Sequence, residues 1–145
     1  MGVDSDKKAL KISYGLDYDK SGINTSLIRW YNKLIDKTEE ELDAADVRRM
    51  IRQDILSEVA IKKAIELFMS NPYGGEMWDG ELLSILVTCD YDFEACTQQD
   101  SLSFVVTEAE KEMYDFVWCT DDDRELFKEN LKILRGLLNG SEIQN

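Results

Sequence analysis

The sequence predicts an all-α, or mainly α, domain: a compact bundle of about six helices, with at most one short N-terminal strand or hairpin. Three observations lead there. Apolar residues recur at helical spacing along most of the chain. Breakers are scarce, with Pro72 the one proline and eight glycines in 145 residues. Hydrophobic residues make up 43% of the sequence, enough for one core, and the length is short for two. Residues 1–145 are therefore expected to form a single domain, with 1–22 loosely ordered or extended.

In the N-terminal segment, Leu10, Ile12, Tyr14, Leu16 and Tyr18 alternate with other residues. That is the period of a strand, and Val87, Cys89, Tyr91 and Phe93 share it and offer a partner. From Thr25 the period becomes helical. Thr25 or Asn24 caps a helix with Leu27, Trp30, Tyr31 and Leu34 on its apolar face. Thr38 and Glu41 have capping-box spacing, and Asp43 with Asp46 offers a similar acidic start. There Val47, Met50, Ile51 and Ile55 share a face flanked by Arg48, Arg49 and Arg52. Val59, Ala60, Ala64, Ile65, Phe68 and Met69 form a mostly apolar helix that stops at Asn71-Pro72, because proline disfavours helical backbone in the residue before it. After a Tyr73-Gly74-Gly75 turn comes a helix with Trp78, Leu82, Ile85 and Leu86. Residues 88–100 are polar and read as a loop. Ser101 to Trp118 reads as a helix with Leu102, Val105, Val106, Ala109, Met113, Phe116 and Val117 inward. Thr120 and Asp123 cap the last helix, which buries Phe127, Leu131, Leu134 and Leu138 and ends at Asn139-Gly140.

Composition excludes much chemistry. The chain has no histidine, which removes Ser-His-Asp, Cys-His and His-metal chemistry. Cys89, Cys96 and Cys119 are odd in number and scattered, so reduced thiols are expected rather than a disulfide framework or a zinc site. Met1 to Tyr14 lacks the apolar stretch of a secretory signal, and no run approaches membrane-spanning length, so a cytoplasmic protein is expected. Thirty acidic residues stand against 17 basic ones, a formal charge of −13. Such a chain repels nucleic acid and anionic membranes; the partner it meets quickly is a basic protein.

Two groups have the residue types of a metal site. Asp17, Asp19, Ser21 and Gly22 resemble the first half of an EF-hand loop, but Ile28 occupies the twelfth position and no helix precedes, so a polar turn is expected. Glu76, Asp79 and Glu81 follow a Gly-Gly turn and have the character of a divalent-metal or acid–base group. Their simpler reading is acidic residues complementing a helix start. No metal, no cofactor and no catalytic residue is assigned, and an enzyme is not expected.

Charge placement is more informative. From Asp90 to Asn130 thirteen acidic residues face only Lys111, Arg124 and Lys128, which leaves ten of the thirteen excess negative charges in that stretch. The candidate partner-binding residues are Asp90, Asp92, Glu94, Glu112, Asp121, Asp122 and Asp123.

Two segments carry a family resemblance. Leu42 to Gln53 reads LDAADVRRMIRQ, and Asn71 to Leu83 reads NPYGGEMWDGELL. Together they resemble the immunity proteins of bacterial contact-dependent growth inhibition (CDI) systems, in the group with a DVxRxxRQ helix and a DPxxGExYDGELL turn. Asn71 stands for the Asp of that pattern and Trp78 for its Tyr. The resemblance covers about residues 34–86, and the acidic C-terminal third has no matching motif. It implies a protein that binds and neutralises a cognate toxin domain one-to-one in the cytoplasm. That toxin domain would be the C-terminal part of a large secreted surface protein, often a nuclease whose basic active site is covered. The motif residues Asp46, Arg49, Arg52, Gln53, Pro72, Gly75, Glu76, Trp78, Asp79, Gly80 and Glu81 are expected to build the fold, with Trp78, Leu82 and Met50 in the core. Arg49 and Arg52 can pair internally with Glu76, Asp79 and Glu81. Two alternatives stay open: an acidic nucleic-acid mimic that inhibits another nucleic-acid-binding protein, and a carboxylate-metal hydrolase using Glu76, Asp79 and Glu81.

Overall fold

The computed structural model describes residues 8–89, 91–93 and 98–139. Within them the chain forms seven α-helices and one 3-10 turn, with no strand. They are α1 (Leu10–Tyr14), α2 (Ser26–Leu34), the 3-10 turn Glu39–Glu41, α3 (Ala44–Gln53), α4 (Ser57–Ser70), α5 (Glu81–Thr88), α6 (Gln99–Glu112) and α7 (Asp121–Asn139). Helix α4 is the centre: it packs on α3, α5 and α6, while α7 lies against α5 and α6.

Local capping explains several boundaries. Thr25 Oγ1 accepts from Ile28 N at 3.1 Å and starts α2. Thr38 with Glu41 and Asp43 with Asp46 both close as capping boxes. At α7, Asp123 N donates to Thr120 Oγ1 at 3.0 Å. Helix α4 ends at Ser70, just ahead of Asn71-Pro72.

One core runs through the bundle. Phe68, Ile65 and Ala64 of α4 are fully buried with Val47 and Met50 of α3, Leu83 and Leu86 of α5, Leu102 and Val106 of α6, and Leu134 of α7. Each large side chain of this kind contributes about 1.5–3 kcal/mol on leaving water. Polar links fasten α7: Asn130 Nδ2 donates to Ser84 Oγ of α5 at 2.7 Å, Gln99 Nε2 of α6 donates to Leu138 O, and Arg135 pairs with Glu110 of α6.

Four expectations need correction. The alternating stretch Leu10–Tyr18 is not a strand: it begins with the five-residue α1, and extended pairing is limited to an isolated Ala9–Thr38 bridge. Long-range bonds decide this, since Leu10 N reaches Lys37 O at 2.8 Å and Lys11 N reaches Ile35 O at 2.9 Å, which seats Leu10 in the core. Its supposed partner is not a strand either: α5 takes in Val87 and runs to Thr88, and Cys89, Tyr91 and Phe93 lie outside any strand. Helix α6 stops at Glu112, so Phe116 and Val117 are not part of an inward helical face. Trp78 lies in the turn before α5 and is half-buried, so it is not a core anchor.

Candidate functional site

The turn joining α4 to α5 is held by one buried carboxylate. Glu81 is 6% exposed. Its Oε1 accepts from Glu76 N at 2.7 Å and Met77 N at 2.9 Å. Its Oε2 faces Arg48 Nε of α3 at 3.1 Å, and the same guanidinium meets Glu76 Oε1 at 3.3 Å. Gly75 is required here: a Cβ would sit 2.5 Å from Glu81 Cβ and 2.5 Å from Trp78 O. Gly80 adopts φ +85°, in the left-handed region, with the Phe127 ring pressed against it. Internal pairing of this motif therefore uses Arg48. Arg49, Arg52 and Gln53 of α3 are exposed. Asp46 is buried, accepting from Lys37 Nζ at 2.6 Å and from Trp30 Nε1 at 3.2 Å.

The turn in turn fixes the loop between α6 and α7. Tyr73 stacks on Phe116 with centroids 4.4 Å apart and meets Trp118 edge-on at 5.5 Å. Its hydroxyl donates to Ala109 O at 3.1 Å. Trp118 Nε1 donates to Met113 O at 2.7 Å, and Cys119 N donates to Asp79 Oδ2 at 3.2 Å. Desolvation, followed by the charges of Glu112 and Asp115, pushes the Tyr73 phenol up to about 12. Folding thus disfavours its ionisation, so this contribution is intact below pH 10 and is lost as pH rises towards 12.

Five carboxylates bracket this loop: Glu112 closes α6, Asp115 follows it, and Asp121, Asp122 and Asp123 open α7. Glu112, Asp115, Asp121 and Asp122 are exposed and Asp123 is half-buried. The first turn of α7 tolerates its three carboxylates through the helix dipole, and Arg124 reaches Asp121 at only 3.6 Å, across an exposed surface. Apolar side chains stand among the charges: Val117 is 88% exposed, Tyr114 61% and Leu126 44%. Sequence periodicity missed this feature, since it placed Val117 inward. Asp92 is exposed on the α5–α6 connection beside the buried Phe93. Asp90 and Glu94 lie outside the described residues.

The two groups considered for metals have other partners. Glu81 and Glu76 hold Arg48 and backbone amides, and Asp79 holds Cys119. Asp19 Oδ1 accepts from Ser21 N at 2.9 Å, the bond of a polar turn. Among the described residues no cluster of His, Cys, Asp or Glu has the arrangement of a metal site, and no helix is long and apolar enough to cross a membrane.

Asp79 also controls the exposed Cys119 thiol. Its hydrogen bond and charge, then slight burial and the charge of Asp123, hold that thiol above its ordinary pKa. Asp79→Asn keeps the shape and removes the charge. Alkylation of Cys119 by iodoacetamide near pH 8, followed by peptide mass spectrometry, should become faster. An unchanged rate would mean that the carboxylate does not suppress the thiolate.

A family model described as CDI immunity proteins matches residues 13–103, more than half of the chain. The match includes α2 to α5 and both motif segments, and ends within α6. No curated protein matches the chain.

Proposed function

The chain belongs to the CDI immunity proteins, and we propose that it neutralises its cognate toxin by seating the acidic α6–α7 end on a basic active-site cleft, that of a nuclease. The observation that carries this reading is the set of exposed carboxylates Glu112, Asp121 and Asp122, with Asp123, that bracket the α6–α7 connection, which itself exposes Tyr114 and Val117. A nuclease must hold phosphates, so its cleft is cationic. Carboxylates can form charge-assisted hydrogen bonds with such a cleft, and the apolar side chains supply desolvated anchors between them. Asp90, Asp92 and Glu94 are candidates to extend the contact.

The protein acts by occlusion, as an inhibitor and not as an enzyme, and it works in the cytoplasm, where an incoming toxin would act. The partner is the C-terminal domain of a large surface protein, bound one-to-one. Co-expression with the toxin domain encoded beside this chain should restore growth and yield a one-to-one complex on size-exclusion chromatography. Unrelated toxins should remain active, because specificity needs shape as well as charge. If the neighbouring toxin neither binds nor is silenced, the reading fails.

A further inference from the structure

We propose that the cleft between α2 and α3 is a second contact site, one that takes a carboxylate-bearing segment of the bound toxin domain. The inference rests on the immunity reading above. The cleft, of about 190 Å³, is lined by Ser26, Leu27 and Trp30 of α2 and by Arg49, Arg52 and Gln53 of α3. Arg49 and Arg52 are exposed, and among the described residues neither makes an ion pair or a hydrogen bond. Of the other arginines, Arg29 bonds through its side chain to Asn24. Arg48, Arg124 and Arg135 all have carboxylate partners.

Helix α3 thus divides its arginines. Arg48 turns to Glu76 and Glu81 and serves the fold. Arg49 and Arg52, three residues apart, line the cleft together, and like charges at that spacing oppose the helix slightly. The fold gains nothing visible from them. The cleft beneath is pre-shaped: Trp30 Nε1 donates to Asp46 Oδ1 at 3.2 Å, which fixes the ring. Asp46 cannot serve as their counter-charge, because it is buried and met by Lys37 at 2.6 Å. Leu27, 44% exposed, adds apolar surface that the sequence pattern had assigned to the core.

Two guanidinium forks and an indole lining one cleft fit a carboxylate with apolar neighbours. A phosphate fits the same forks, but a chain of charge −13 repels a polyanion as a whole. A protein segment bringing one or two carboxylates meets no comparable barrier. With the acidic end on one contact and the arginine cleft on another, opposite signs alternate along the interface, which fixes docking register and rejects non-cognate toxins.

The test is calorimetric titration of the adjacently encoded toxin domain into wild type, Arg49→Glu/Arg52→Glu and Arg49→Lys/Arg52→Lys, with melting temperatures and a short single-stranded RNA as a second titrant. The reversal should melt like wild type yet bind the toxin about tenfold or more weakly. The lysine variant should fall between them, and RNA should not bind. Should the reversal melt early, Arg49→Gln/Arg52→Gln carries the test with the same expected direction. Full-strength toxin binding by the folded reversal would overturn the proposal, as would RNA binding to wild type that the reversal abolishes. Failure of wild type itself to bind the toxin would instead sink the immunity reading.

Discussion

Replacing Glu81 with alanine is expected to destabilise the protein by about 3–5 kcal/mol, the usual cost of breaking a buried charged pair. The substitution leaves the amides of Glu76 and Met77 without their acceptor and halves the carboxylate environment of Arg48. Both effects fall where the 73–80 turn holds α3, α5 and the α6–α7 loop together. At this chain length the melting temperature should fall by about 10 °C or more. Glu81→Gln retains one acceptor of similar shape and should cost less, while Gly75→Ala should approach the alanine variant because its Cβ meets backbone at 2.5 Å. Thermal unfolding of the three variants checks the ranking. A Glu81→Ala protein that melts like wild type would show that the carboxylate does not organise the turn.

What the sequence revealed was mostly local. The boxes at Thr38–Glu41 and Asp43–Asp46 span three residues, so their geometry follows from spacing alone. The stop before Pro72 has the same character. The buried faces of α4 and α7 were legible because helical period and burial agree over several turns. The errors came where a distant segment decides. Leu10 alternates with its neighbours like a strand residue, yet its own bond to Lys37 and that of Lys11 to Ile35 fix it in a short helix. Val117 continues the apolar period of α6, yet the helix has ended at Glu112 and the residue projects into solvent. The choice of Arg48 over Arg49 and Arg52 as the internal partner depends on where α5 lies around α3, and one residue is a rotation of about 100°. The clustering of Asp121 to Asp123 was visible in the sequence. The exposure of Tyr114 and Val117 between them and Glu112 was not, because it depends on α6 ending at Glu112.

Reversing Asp121, Asp122 and Asp123 to lysine is expected to weaken toxin binding by several kcal/mol, given about 2–5 kcal/mol for truncating a buried interfacial charge pair. Lysines also repel the cationic cleft, and the loss should appear partly as slower association that depends less on salt. The fold should survive. None of the three carboxylates belongs to the core, and each misplaced charge at the start of α7 costs only about 0.3–1 kcal/mol. The exposed Asp121–Arg124 pair adds little. The direct measurement is the affinity of this triple variant for the cognate toxin domain, taken well below a melting temperature determined in the same buffer. The acidic-end account predicts a folded protein whose affinity falls by two orders of magnitude or more, as about 2.8 kcal/mol or more would require. A folded variant that binds at full strength would place the toxin elsewhere and contradict it.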